Sequence, residues 1–352
     1  MNENFIGNDV PKPSFTMQTL WWPAITDLSA DLSGTTVNYL KDKSLPLVYQ
    51  YNFNIQRELP RNILFQIGYV GNKGVNLPNR YDANQAVPFD PANPLTINQR
   101  RPHQRLGFVS ANTSSTYSNY NALDVHVERR FSAGLAIIGN YTWMKQMGIR
   151  SYDNYTVMDI NNIRHNYGPS GYPHRALISW VYELPFGPGK PLANTANPVL
   201  GRIIGGWQFN GIATFSSGSW LGIGSSVSNG VGSRAANKAD ATGLPANLPT
   251  GQRTKAEWFN TAAFVDPQYT RYGNSGEGVV MGPGSSNFDL SFFKTTRILE
   301  GKSLQFRAEM FYGFNHVNLN NPSTNVSDKT HFGRISSAAA ARVMQLGMKF
   351  YF

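Results

Sequence analysis

The sequence predicts an all-β fold: an antiparallel transmembrane β-barrel, present in part, with this chain supplying the C-terminal strands of a larger barrel. Three observations predict it. Many segments alternate apolar with polar residues, the connections between them sort into short and long by side, and the composition favours strands and loops over helices.

Composition comes first. Aromatic residues make up 13% of the chain and charged residues only 15%, against about 25% charged in an ordinary soluble domain. The 33 glycines and 21 prolines interrupt the chain too often for a helical protein. The 31 Lys and Arg exceed the 21 Asp and Glu by 10, but the cations are scattered. The densest group, Arg100, Arg101 and Arg105, reads as a solvated loop, so no nucleic-acid partner is expected. The absence of cysteine excludes disulfides, thiolate metal sites and thiol nucleophiles. No stretch approaches the roughly 20 apolar residues of a membrane helix, and residues 1–13 lack the apolar core of a signal peptide.

The strands follow from a period of two, which marks two unlike faces. Leu47, Tyr49, Tyr51, Phe53 and Ile55 alternate with Val48, Gln50, Asn52, Asn54 and Gln56. Past a corner at 58–61, Ile63, Phe65, Ile67 and Tyr69 form the next apolar row, and Leu123, Val125 and Val127 a third. A turn at 131–134 leads to Leu135, Ile137, Tyr141 and Trp143, and then to Ala176, Ile178, Trp180, Tyr182 and Leu184. Trp207, Phe209 and Phe215 continue the series, followed by Phe288, Leu290 and Phe292. After a turn at 300–302 come Leu304, Phe306, Ala308, Met310, Tyr312 and Phe314, and finally Met344, Leu346, Met348, Phe350 and Phe352.

Length separates a barrel from a soluble sandwich. These segments run about 10 to 14 residues, whereas strands of soluble domains average about 5 or 6 and tilted membrane strands need about 9 to 11. With the C-terminus in the periplasm, the connections at 59–60, 131–134 and 299–302 are short and periplasmic, and 185–205 is longer. Those at 72–118, 147–173, 218–285 and 317–341 are long and external, which is the asymmetry of outer-membrane barrels. The count is about nine strands, where bacterial barrels have even numbers. The expectation is therefore that residues 1–352 are one barrel piece, with 1–44 the remnant of an extracellular loop.

Local motifs add a resemblance. Gln50-Tyr51-Asn52-Phe53-Asn54-Ile55-Gln56-Arg57-Glu58-Leu59-Pro60, Gly68-Tyr69-Val70-Gly71-Asn72-Lys73-Gly74, Asn119-Tyr120-Asn121-Ala122-Leu123 and Glu128-Arg129-Arg130-Phe131 fall in order. Asn140-Tyr141-Thr142-Trp143, Tyr182-Glu183-Leu184-Pro185-Phe186-Gly187, Gly206-Trp207-Gln208-Phe209-Asn210-Gly211 and Gln305-Phe306-Arg307-Ala308-Glu309 follow, with Phe314-Asn315-His316 and the aromatic end. From about residue 45 to residue 352 the chain resembles the TonB-dependent receptors, and among them the Oar-like barrels. The resemblance implies a complete protein with a signal peptide, a periplasmic carboxypeptidase-regulatory-like domain, a plug and a barrel of about 22 strands. It implies solute uptake across the Gram-negative outer membrane, with this segment inactive in transport without the plug. The implied partners are outer-membrane lipid, the barrel-assembly machinery, an unidentified solute, and the TonB complex through the N-terminal part that this chain lacks. In the family, a terminal strand with apolar residues at every second position and a final aromatic is recognised by the assembly machinery. Met344, Leu346, Met348, Phe350 and Phe352 match that pattern, and an apolar edge strand is suited to capture by strand addition.

No residue is assigned a catalytic, cofactor-binding or metal-binding role, and no enzyme activity is expected. Gly187-Pro188-Gly189-Lys190 lacks the spacing and following hydroxyl of a phosphate loop. His165, His174, His316 and His331 are isolated in or beside loops. Asp289, Arg307 and Glu309 fall on one polar face, where charges are expected to pair across a watery lumen. Trp21, Trp22, Tyr152, Tyr155, Trp220 and Trp258 read as interfacial aromatics. The alternative reading is a soluble all-β carbohydrate-binding or adhesion module, with a β-rich hydrolase third.

Overall fold

The computed structural model describes residues 37–40, 44–149, 159, 161–194, 197–228, 230–231, 237–268 and 271–352. Nine long strands dominate it: β1 (Leu47–Leu59), β2 (Ile63–Asp82), β3 (Val109–Ser132), β4 (Leu135–Ile149) and β5 (His174–Glu183). They continue as β6 (Trp207–Ser216), β7 (Ser285–Leu299), β8 (Lys302–Phe311) and β9 (Val343–Tyr351). Each pairs with its neighbours in sequence, so the sheet is an antiparallel meander from β1 to β9. Among the described residues the sheet is open, and β1 and β9 are its two edges.

The turns explain themselves locally. Ala133 and Gly134 both take positive φ (51° and 81°) between paired Ser132 and Leu135. A two-residue turn of this hand matches the twist of the strands it joins. Arg61 and Asn62 do the same after Pro60, and Gly301 after Glu300. The longer connection at 184–206 holds a short helix, α1 (Pro198–Ile204). Asn197 caps it by accepting from the backbone N–H of Val199 and Leu200, with Pro198 in the first turn.

Register decides which face each residue takes, because directly paired residues share a face. One row runs Ile63, Arg129, Ile137, Trp180, Gly211, Leu290, Met310, Met344 across eight strands. A row on the other face runs Gln56, Gln66, His126, Asn140, Leu177, Thr214, Asn287. The alternation in the sequence thus becomes two continuous surfaces, one chiefly apolar and one chiefly polar. On the apolar surface Phe209 stacks on Phe292 with ring centres 4.8 Å apart, and Phe215 meets Phe288 edge-on at 5.3 Å.

Two strands run well past the others. β2 and β3 stay paired out to Asp82 and Ser110, which corrects the expected loop at 72–118 to residues 83–108. The outer half bulges around Val75 to Pro78, where the ladder shifts register. Beyond the end of β4, the place beside β3 is taken by Val37–Leu40, running parallel to residues 109–112. Of the segment 1–44 assigned to an outer loop, the described residues are 37–40 and 44; Trp21, Trp22, Tyr152 and Tyr155 lie outside them.

The long connections are not loose. Ile223, Ala239, Phe259, Ala263, Phe264, Val280 and Val326 form a buried cluster, with Leu221, Trp258 and Phe332 packed against it. This core lies in the connections at 217–284 and 312–342, away from the nine-strand sheet. The large apolar side chains on the outward face of the sheet, such as Trp143, Ile178 and Phe306, stay exposed to the surroundings.

Candidate functional site

The terminal strand is where its sequence pattern put it, on an edge. β9 pairs with β8 from Phe311 opposite Val343 to Ser303 opposite Tyr351. Met344, Leu346, Met348 and Phe350 share the apolar face with Met310, Ala308, Phe306 and Leu304. All four are exposed, Met348 to 70%, and Phe352 is 94% exposed with its ring stacked on Phe350 at 6.0 Å. One side of β9 is laddered, and the other presents backbone groups that a further strand would satisfy.

The polar face carries hydrogen bonds across strands. The Thr142 hydroxyl donates to Asp124 at 2.6 Å, and His126 meets Asn140 at 2.7 Å. Asp289, Arg307 and Glu309 share this face, but their expected mutual pairing is absent from the ion pairs of the described residues. Arg307 instead lies over the Phe293 ring, 4.6 Å from its centre, and donates to Gln305 at 2.6 Å. Asp289 accepts from the backbone N–H of Tyr312 at 3.0 Å. The reason is direction: Phe293, opposite Arg307, offers a ring face within reach, while Glu309 stands opposite Ser291.

The outer connections are held by buried polar groups. Asp82, at the end of β2, pairs with Arg101 at 3.3 Å and accepts from the backbone N–H of Asn84 and Val109. The Asn84 amide donates to the carbonyls of His103, Leu106 and Gly107 and accepts from the His103 N–H. Arg100 donates to the carbonyls of Val87 and Gly230 and sits over the Phe89 ring. Burial pushes its guanidinium below the usual arginine value. Arg100 and Arg101 are thus structural ties and not the solvated loop that the sequence suggested; Arg105 alone of the three is exposed.

A second ion pair lies within the connection at 217–284, and its lysine ties that connection to another. Lys238 meets Glu277 at 2.9 Å and also donates to the His165 carbonyl. Burial lowers the Lys238 pKa although Glu277 opposes it. Asp266 accepts from the hydroxyls of Ser225 and Ser327 and pairs with Lys329. Trp258 packs on the loop core and donates to the Met281 carbonyl, and Trp220 pairs with Met281. These two aromatics brace the outer connections, a role that spacing alone does not reveal.

The histidines do not converge. His174 stacks on Trp143 with rings 5° apart and shares a 2.9 Å hydrogen bond with Tyr141. His331 bonds Asp328 three residues away. Among the described residues no group of three or more His, Asp or Glu side chains is placed to hold a metal ion.

The family model described as an outer membrane beta barrel domain matches residues 3–345. No curated protein matches the chain. Among solved structures, the outer membrane transporter YddB from Escherichia coli aligns at 10% identity and TM-score 0.46, over 90% of this chain and 34% of that one. BauA, the ferric preacinetobactin receptor from Acinetobacter baumannii, aligns at 9% identity and TM-score 0.43, over 87% and 29%. The FrpB iron transporter from Neisseria meningitidis aligns at 9% identity and TM-score 0.41, over 90% and 33%. The chain spans about a third of the length of these proteins.

Proposed function

This chain belongs to the outer membrane β-barrel domain family and resides in the Gram-negative outer membrane, and we propose that it forms wall and outer cap of a TonB-dependent solute receptor. The carrying observation is the pair of continuous faces set by register. The apolar face has no covering layer among the described residues, which suits lipid, and the polar face suits a water-filled lumen. A soluble binding module would bury its apolar face against a second layer.

The cap supports reception at the outer surface. Connections 83–108, 217–284 and 312–342 carry their own core and buried ion pairs, so they hold a defined shape at the mouth of the wall. Binding sites gather on loops held by a rigid scaffold. Uptake by such a receptor would also need a plug and a contact to the TonB complex. No catalytic step is proposed.

Transport is tested by solute uptake in cells producing the complete protein, with and without TonB. Uptake that depends on both the cap and TonB is expected; uptake that persists without TonB rejects the receptor reading. We further propose that β9 is the strand the assembly machinery captures, through Met344, Leu346, Met348, Phe350 and Phe352. Replacing Phe350 and Phe352 by Asn should lower the amount folded in the outer membrane severalfold. An unchanged amount would show that the terminal aromatics do not act in assembly.

A further inference from the structure

At one level of the outward face the chemistry changes. On β2, β3 and β4 the apolar rows end at Tyr69, Leu123 and Trp143, which are paired in one row. The next rows outward place Gly71, Asn121 and Lys145 together, then Lys73, Asn119 and Met147. Lys73 and Lys145 stand about ten residues out from the short turns, the length at which a tilted strand leaves the membrane.

The residues between the two lysines are tied to one another. The Tyr69 hydroxyl donates to the Asn121 side-chain oxygen at 2.6 Å, and the Tyr51 hydroxyl donates to the same oxygen at 3.3 Å. The Asn121 amide donates to the Asn119 side-chain oxygen at 2.7 Å. Lys73 and Lys145 are exposed, and neither joins an ion pair among the described residues. Two strand spacings and one side-chain repeat separate them, roughly 12 Å.

We infer that this patch binds the phosphate-bearing headgroup of an outer-leaflet glycolipid, with Lys73 and Lys145 each facing one phosphate. The inference rests on the lipid-facing assignment of the apolar side. Charge complementarity picks an anionic headgroup. The separation picks one that carries two phosphates across a sugar body, because a diacylglycerol phospholipid brings a single phosphate and a diphosphatidylglycerol joins its two through one short glycerol. Tyr51, Tyr69, Asn119 and Asn121 supply hydrogen-bonding groups at the level of the sugar, and Trp143 and Tyr141 border the acyl region below, as interfacial aromatics do.

The test uses the whole chain in detergent, with bis-phosphorylated lipid A added to the micelles and bound lipid measured by mass spectrometry. The K73Q/K145Q variant should bind at least about tenfold more weakly, since each lysine near an anionic headgroup contributes appreciably. K73R/K145R should retain binding, and dephosphorylated lipid A should be lost from the wild type. R57Q, at the opposite rim of the same face, should leave binding unchanged. Equal binding by K73Q/K145Q, equal loss in R57Q, or equal binding of phosphatidylglycerol would each overturn the inference. Should K73Q/K145Q not fold, the salt dependence of wild-type binding decides, with no weakening at high salt counting against it. A chain that takes up no detergent at all would instead refute the lipid-facing wall itself.

Discussion

Trp180 lies across Gly211, its direct partner on the neighbouring strand, with ring atom Cζ2 2.2 Å from where a β-carbon would stand. Tyr51 covers Gly71 in the same way, at 2.0 Å. An aromatic laid over a cross-strand glycine restores the packing that the glycine lacks. Gly211→Ala should push the indole aside and cost about 1–3 kcal/mol, as overpacking does. Gly139→Ala, where the nearest atom is a carbonyl at 3.9 Å, should cost much less. The check is the urea midpoint in detergent, followed by tryptophan fluorescence; equal midpoints for the two variants would remove Trp180 from this role.

The Asp82–Arg101 pair predicts a local defect when broken. Both side chains are buried, and a lone buried charge is costly, on the order of 3–5 kcal/mol where a buried pair loses one partner. Asp82→Ala should therefore expose 83–108 to limited proteolysis while β2 and β3 below remain protected. Asp82→Asn, which keeps an acceptor for the Asn84 and Val109 N–H groups, should be milder. Identical cleavage in wild type and both variants would contradict the tie.

Asp266 gives the cap a pH limit. Burial alone would raise its pKa, but donation from Ser327, Ser225 and Lys329 outweighs this and holds it below the usual 3.8. A carboxylate with a lowered folded pKa contributes stability in full above the unfolded value, and loses it as pH falls through the folded one. Hydrogen exchange at 224–227 and 325–329, corrected for intrinsic rates, should thus show constant protection down to about pH 4 and weaker protection below it. Asp266→Asn should remove that acid dependence. Loss of protection between pH 7 and 5 would assign the effect to another group.

The sheet was legible because each membrane-level strand meets two different surroundings, so its sequence must alternate. The outer halves of β2 and β3 were not. Residues 109–118 (Val-Ser-Ala-Asn-Thr-Ser-Ser-Thr-Tyr-Ser) carry polar groups on both faces, and Pro78 interrupts the facing strand at a bulge. Such a stretch reads as a loop because it lacks an apolar row, although Ser110, Ala111, Thr113 and Thr116 are buried in the fold. The cap core was equally hidden, since Phe259, Phe264, Val280 and Val326 come together from distant positions with no period. Arg100 and Arg101 looked solvated because their carbonyl and Asp82 partners are set by chain folding and not by neighbours in sequence. The edge position of β9 followed from its place at the end of a meander.

The assignment of one face to lipid and the other to water is tested most directly along β7. The chain has no cysteine, so single cysteines at 287 to 293 can each carry one spin label. In lipid-reconstituted protein, labels at Phe288, Leu290 and Phe292 should be relaxed by oxygen, which concentrates in the bilayer. Labels at Asn287, Asp289, Ser291 and Phe293 should be relaxed by a water-soluble nickel complex instead, giving two period-two patterns out of phase. Patterns in phase, or nickel access at every position, would contradict a membrane-spanning wall.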